Sequence, residues 1–325
     1  MQTRLASLFL AVVLVTVICI PLLPAAAAEG GFQRTLHVTG PVNLEVTTGS
    51  GSIQVRTGGS SEVQVTGHIR STSWFGGDPE ERIKRIESNP PIVQNGNNID
   101  IGHLEDHELF RNISISYELV VPAQTQLRSH TGSGNQKIEG IQGTLDCTAG
   151  SGGLSISNIG NTVRADTGSG NITLDHIKGN VRAKAGSGSI DATDIGGGFE
   201  AETGSGRVTL EQTAPGAVRV GTGSGGMELR GVRGSLDAKA GSGNIHAEGD
   251  PTGAWTVHTG SGGVQLRFPS DARFDLDAHT SSGSVTVDHP VTVQGSLGRK
   301  DVRGKVRGGG VPVEVATGSG NIEIH

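Results

Sequence analysis

Gly-Ser-Gly, or a close variant, occurs eleven times in this chain, first at Gly49-Ser50-Gly51 and last at Gly318-Ser319-Gly320. Glycine turns of this kind cradle phosphate where a strand meets a helix N-terminus. They bind calcium where they recur about every nine residues beside an aspartate ladder. Neither context occurs here. No copy introduces a helical pattern, and the copies from Gly132 to Gly260 recur every 18 or 19 residues without the aspartates. The motif therefore reads as a turn, with glycine supplying φ > 0 conformations.

The other chemically capable residues are scattered. His103 and His107 stand four apart around Glu105 and Asp106, a spacing that shares a metal on a helix. Their neighbours do not make a helix and no third ligand is evident, so the stretch reads as a polar loop and no metal or cofactor is expected. Cys147 sits where the repeat wants a small buried residue and reads as core rather than nucleophile. Trp74-Phe75, beside Gly76-Gly77, is a candidate contact pair, or else packs an insertion against the rest. Arg299, Lys300, Arg303, Lys305 and Arg307 form a second candidate contact surface, suited to an anionic glycan, lipid head groups or a protein partner. Their alternation around Val302 and Val306 favours a hairpin or edge strand with a charged outer face. A polysaccharide lyase or hydrolase would need carboxylates and basic groups converging in a cleft, usually walled by long loops and aromatic rings. The turns here are short and Trp255 is the one tryptophan of the repeat array, so no enzyme is expected.

Period-2 strands must position these residues. Ile172 and Leu174 alternate with Thr173 and Asp175, and Val181 and Ala183 alternate with Arg182 and Lys184, each pair of stretches joined by glycine turns. One such unit cannot bury its apolar face alone, whereas coils stacked ~4.8 Å apart can. The expected fold is all-β, a parallel β-solenoid (a single-stranded β-helix) of ~18-residue coils, with one short helical insertion near the N-terminal end. Ile156, Leu174, Ala192, Leu210 and Leu229 form one inward column; Ile159, Ile177, Ile195 and Val232 form another. Outward columns read Asp166, Lys184, Glu202, Gly221, Lys239, His258 and Asp146, Arg164, Arg182, Glu200, Arg219, Asp237. Mostly alternating signs hold register among near-identical coils.

The rhythm fails twice. From Gly49 to Gly132 the step is 83 residues, with the chain's one good helix signal inside it: Asp78 as N-cap, Pro79 at the first helical position, then Glu80 to Ile86, ending before Asn89-Pro90-Pro91. Such a helix is placed to cover an open end or flank. From Ser281 to Gly318 the step is 37 residues, the length of two coils. The boundaries read as residues 1–28, a signal peptide with Arg4, an apolar run from Leu8 to Leu23 and Ala25 to Ala28 for cleavage; 29–70, first solenoid strands; 71–112, a helix and loop insertion; and 113–325, the repeat region with C-terminal edge strands. Residues 29–325 form one domain. With 53 glycines, 3% aromatics and a formal charge of −6, the chain lacks the basic stripe and stacking rings of a nucleic-acid binder.

The strand Ile115 to Pro122, the Thr/Ala-Gly-Ser-Gly series, and the stretches Phe274 to Gly283 and Thr317 to Ile322 together resemble the bacterial putative-adhesin domain family, a domain of unknown function. The likeness covers most of residues 32–325. It implies an exported, non-catalytic adhesin-like binding or structural module of the periplasm, cell envelope or surroundings, with an envelope protein or polysaccharide as partner. Related solenoid domains resemble envelope-stress sensors, which gives the alternative of a regulatory scaffold acting through a protein. No second hydrophobic span follows the leader.

Overall fold

A computed structural model describes residues 28–59, 61–71, 79–103, 109–293 and 298–325. Val163–Ser169 and Ile172–Ile177 show how one coil forms. Val163, Ala165, Ile172, Leu174 and Ile177 are buried, while Arg164, Thr173 and their like face out. Each valine, leucine or isoleucine so buried contributes roughly 1.5–3 kcal/mol. The next coil repeats the pattern in parallel register, with Val163 opposite Val181 and Ile172 opposite Ile190. Repetition gives two long sheets, of fourteen and fifteen strands among the described residues, whose inner faces share one aliphatic core. This is a β-solenoid. Both inward columns form, and the gap between Ile195 and Val232 is filled by buried Gln212, whose Nε2 donates to Gly197 O at 2.8 Å.

The Gly-Ser-Gly corner has a second cause beside the positive φ that its composition suggests. Gly152 and Gly170 do not have positive φ, whereas the matching Gly51, Gly225, Gly243, Gly262, Gly283 and Gly320 do, at 149–156°. A Cβ on Gly152 would lie 1.9 Å from Gly134 O, and one on Gly170 2.1 Å from Gly152 O. Glycine is required because successive corners touch backbone to backbone. The threonine before the motif seals the contact: Thr167 Oγ1 donates to Gly152 O at 2.9 Å, and Thr203 Oγ1 to Gly188 O at 2.8 Å. Left-handed residues other than glycine occupy the opposite corner, as Asn158, His176 and Asp194 in successive coils.

Across the first interruption the repeat is continuous in space. Ser50 pairs directly with Ser133, and Leu44 with Leu127. The intervening chain turns back on the end of the solenoid. Ile113–Val121 lies parallel to Ile53–Thr57, then Glu62–Ser71 and Glu29–His37 continue the sheet antiparallel. The helix Pro79–Ser88 packs on Glu29–His37 with Ile83 and Ile86 buried. Its Glu87 Oε1 accepts the Gly31 N–H at 2.8 Å, so the helix satisfies an edge amide. On the other sheet, Asn98–Ile101 lies parallel to Val42–Ser50 and Ile92–Asn95 closes antiparallel.

The second interruption does not hold two further coils. Val311–Ser319, the last long strand in sequence, lies between Trp255–Ser261 and Phe274–Ser282, parallel to both. Beyond Phe274–Ser282 come Asp301–Val306 and then Val291–Val293, both antiparallel to their neighbours. The basic strand is therefore covered by a three-residue strand and is not the outermost one. Aromatic rings concentrate at this end: Phe268 lies 5.0 Å from Trp255 and 4.8 Å from Phe274, centroid to centroid.

Candidate functional site

A concavity with mixed chemistry lies where the first insertion joins the regular coils. Burial of Val42, Leu44 and Val46 turns Asn43 and Glu45 outward; burial of Ile99 and Ile101 does the same for Asn98 and Asp100. Parallel pairing sets Asn43 opposite Asn98 and Glu45 opposite Asp100. The following coils add Gln126 and Arg128, then Thr144 and Asp146, then Thr162 and Arg164; Val93 and Asn95 stand on the edge strand. These residues line an open groove of about 670 Å³. Six strands cross it, giving a length of about 24 Å at the usual strand spacing.

Its polar groups are held but not consumed. Asn43 Nδ2 donates to Asn98 Oδ1 at 2.8 Å. Arg128 reaches Glu45 at 3.6 Å, and Arg164 lies 2.9 Å from Asp166 and 4.0 Å from Asp146. These are exposed pairs, each contributing a few tenths of a kcal/mol. Asp100 differs: partial burial first, then Glu45, raise its carboxyl above the usual range, against a smaller opposing effect from His103. Val93 is 62% exposed, a bare aliphatic surface at the groove edge. Amides, carboxylates and guanidinium groups flanking an apolar patch can donate to, accept from and pack against a polyhydroxylated chain.

The Toastrack DUF4097 family matches residues 161–325. The chain belongs to that family. No curated protein sequence matches it. Three solved structures are similar over about nine-tenths of its length. One is a putative lipid binding protein from Parabacteroides distasonis, with 13% identity, coverage of 90% of this chain and 96% of that one, and a TM-score of 0.41. A putative adhesin from Bacteroides fragilis gives 13% identity, 91% and 97% coverage and 0.32. A putative cell adhesion protein from Clostridium sporogenes gives 11% identity, 91% and 99% coverage and 0.22. At these TM-scores nothing transfers to this chain.

Apart from Thr162 and Arg164, the groove residues precede the segment that the Toastrack family matches. The contact residues expected from sequence lie elsewhere. Trp74 and Phe75 fall outside the described residues, as do His107 and residues 1–27. Of the basic run, Arg303 Nε donates to Asp277 Oδ1 at 2.9 Å, Lys300 Nζ donates to Ser281 O at 2.9 Å, and Lys305 stands opposite Asp275. Arg299 precedes the strand and Arg307 follows it. A cross-strand carboxylate thus answers the charge of Arg303. Cys147 is buried, and burial pushes its thiol up to about 12, far from a reactive thiolate. Among the described residues no cluster of His, Cys, Asp or Glu could hold a metal, and no helix is long and apolar enough to cross a membrane. Sequence reasoning missed the groove because Asn43 and Asn98 meet only through a long-range pairing that no local pattern announces.

Proposed function

We propose that this chain is an exported, non-catalytic binding module of the cell envelope or cell surroundings, and that its groove holds an extended glycan. The observation that carries this reading is the juxtaposition of Asn43, Asn98, Gln126, Glu45 and Asp100 on three neighbouring strands, about 10 Å of a groove about 24 Å long, beside exposed Val93. An extended polyhydroxylated ligand meets there alternating donors and acceptors at strand spacing, without a fold change in the protein. The apolar leader supports export. The open groove supports binding rather than turnover, since it offers no water-excluding pocket around its carboxylates.

Immobilised envelope polysaccharides, tested beside matrix proteins, provide the test. Saturable binding to a polysaccharide, with no reducing ends released on long incubation, is the expected result. Binding to proteins alone would replace this reading with a protein-directed scaffold, and release of reducing ends would make the chain an enzyme.

A further inference from the structure

The coil that ends the chain is not at the end of the molecule. Val311–Ser319 and Ile322–Ile324 lie between the coil of Trp255–Ser261 and Val264–Arg267 on one side and that of Phe274–Ser282 and Val285–Val287 on the other. All four of Val313, Val315, Ile322 and Ile324 are buried in the shared core. The slot has the dimensions of an ordinary rung. Thr317 Oγ1 donates to Gly262 O at 2.9 Å, and Thr280 Oγ1 to Gly320 O at 2.9 Å, the same bond that seals the regular corners. A Cβ on Gly318 would lie 2.6 Å from Gly260 O, the same distance as one on Gly168 from Gly150 O.

On its N-terminal side a short tether joins this coil to Asp301–Val306. Arg307, Gly308 and Gly309 adopt left-handed φ of 49°, 93° and 86° in succession, between the end of Asp301–Val306 and the start of Val311–Ser319. An arginine in the left-handed region is strained, and that strain is released when the tether straightens. We propose that the slot accepts the terminal coil of a second copy of this chain, producing a reciprocally exchanged dimer. Every contact inside the slot is preserved in the exchange; only the tether changes. Strained, short hinges favour this outcome, and mass action makes it depend on protein concentration. The inference is independent of the glycan groove, which lies at the opposite end.

His258 and Ala316 face outward as register partners across the slot boundary, so the double variant His258→Cys/Ala316→Cys reports which chain supplies the coil. The variant is refolded dilute and concentrated, oxidised, separated by size and run on a non-reducing gel. Dilute refolding should give monomers bridged within one chain. Concentrated refolding should raise the dimer fraction about tenfold, with its two chains joined by disulfide. Absence of dimer at high concentration, or a dimer whose chains part on the gel, would overturn the proposal. Unsubstituted chains provide a second measurement that does not rely on the cysteines. Isotopically light and heavy copies refolded together should form mixed dimers that survive hours of dilution, whereas mixed dimers lost within minutes would mark a surface contact and contradict exchange.

Discussion

Two adjacent glycines separate the roles that composition alone merges. A Cβ at Gly152 meets a carbonyl oxygen at 1.9 Å, whereas one at Gly153 finds its nearest neighbours at 3.5 Å. Gly152→Ala should therefore lower stability by about 1–3 kcal/mol through backbone displacement, while Gly153→Ala should leave the urea midpoint nearly unchanged; equal midpoints would remove close approach as the reason for the motif. Thr167→Val keeps the shape but leaves Gly152 O without its donor, and should cost about 1–3 kcal/mol. Asp100 adds a pH dependence with a definite sign. Its carboxyl is raised in the folded state, so the folded chain binds the proton more tightly than the unfolded chain does. The associated stability is present below the unfolded carboxylate pKa and is lost as pH rises through the folded one. Asp100→Asn should match the parent at acidic pH and become relatively more stable as pH climbs through the carboxylate range, as read by denaturation at a series of pH values. The glycine spacing was plain in the sequence, but its cause was not: φ freedom and close approach demand the same residue, and only coordinates distinguish them.

Secondary elements were the most legible level. Alternation at Ile172–Ile177 and Val181–Ala185 announced strands, and Pro79 announced the helix start. Each outward column assembled as the period required, for instance with Lys184 beside Glu202 at 2.6 Å. What the helix covers was less legible, because Ile83 and Ile86 show an apolar edge without naming its partner. That partner is Glu29–His37, an edge strand of nine residues. Ile86→Ala should cost about 2–5 kcal/mol as a buried truncation. Once the helix loosens, the uncovered edge should also promote aggregation, seen as light scattering at temperatures below the global melt. Clean, reversible unfolding of that variant would show that the helix is not the guard of the edge.

At the scale of the molecule, a uniform repeat explains the body, and the two breaks in it explain the ends and the groove. The period placed coils next to one another but could not order them where corners are interchangeable, and Ser261, Ser319 and Ser282 pair equally well in sequence terms. The same limit hid the groove: the strand bearing Asn98 and Asp100 joins that bearing Asn43 and Glu45 from more than fifty residues away. Most of the fold could thus be read from local alternation, and almost none of the candidate site could. The most direct test of the account is calorimetric titration of an envelope polysaccharide into the parent chain, into Asn98→Ala/Asp100→Ala, and into Glu200→Ala from the same outward face beyond the groove. Loss of two hydrogen-bonding side chains should weaken binding about tenfold or more, with Glu200→Ala binding like the parent. Equal affinity for all three chains would contradict the groove as the site.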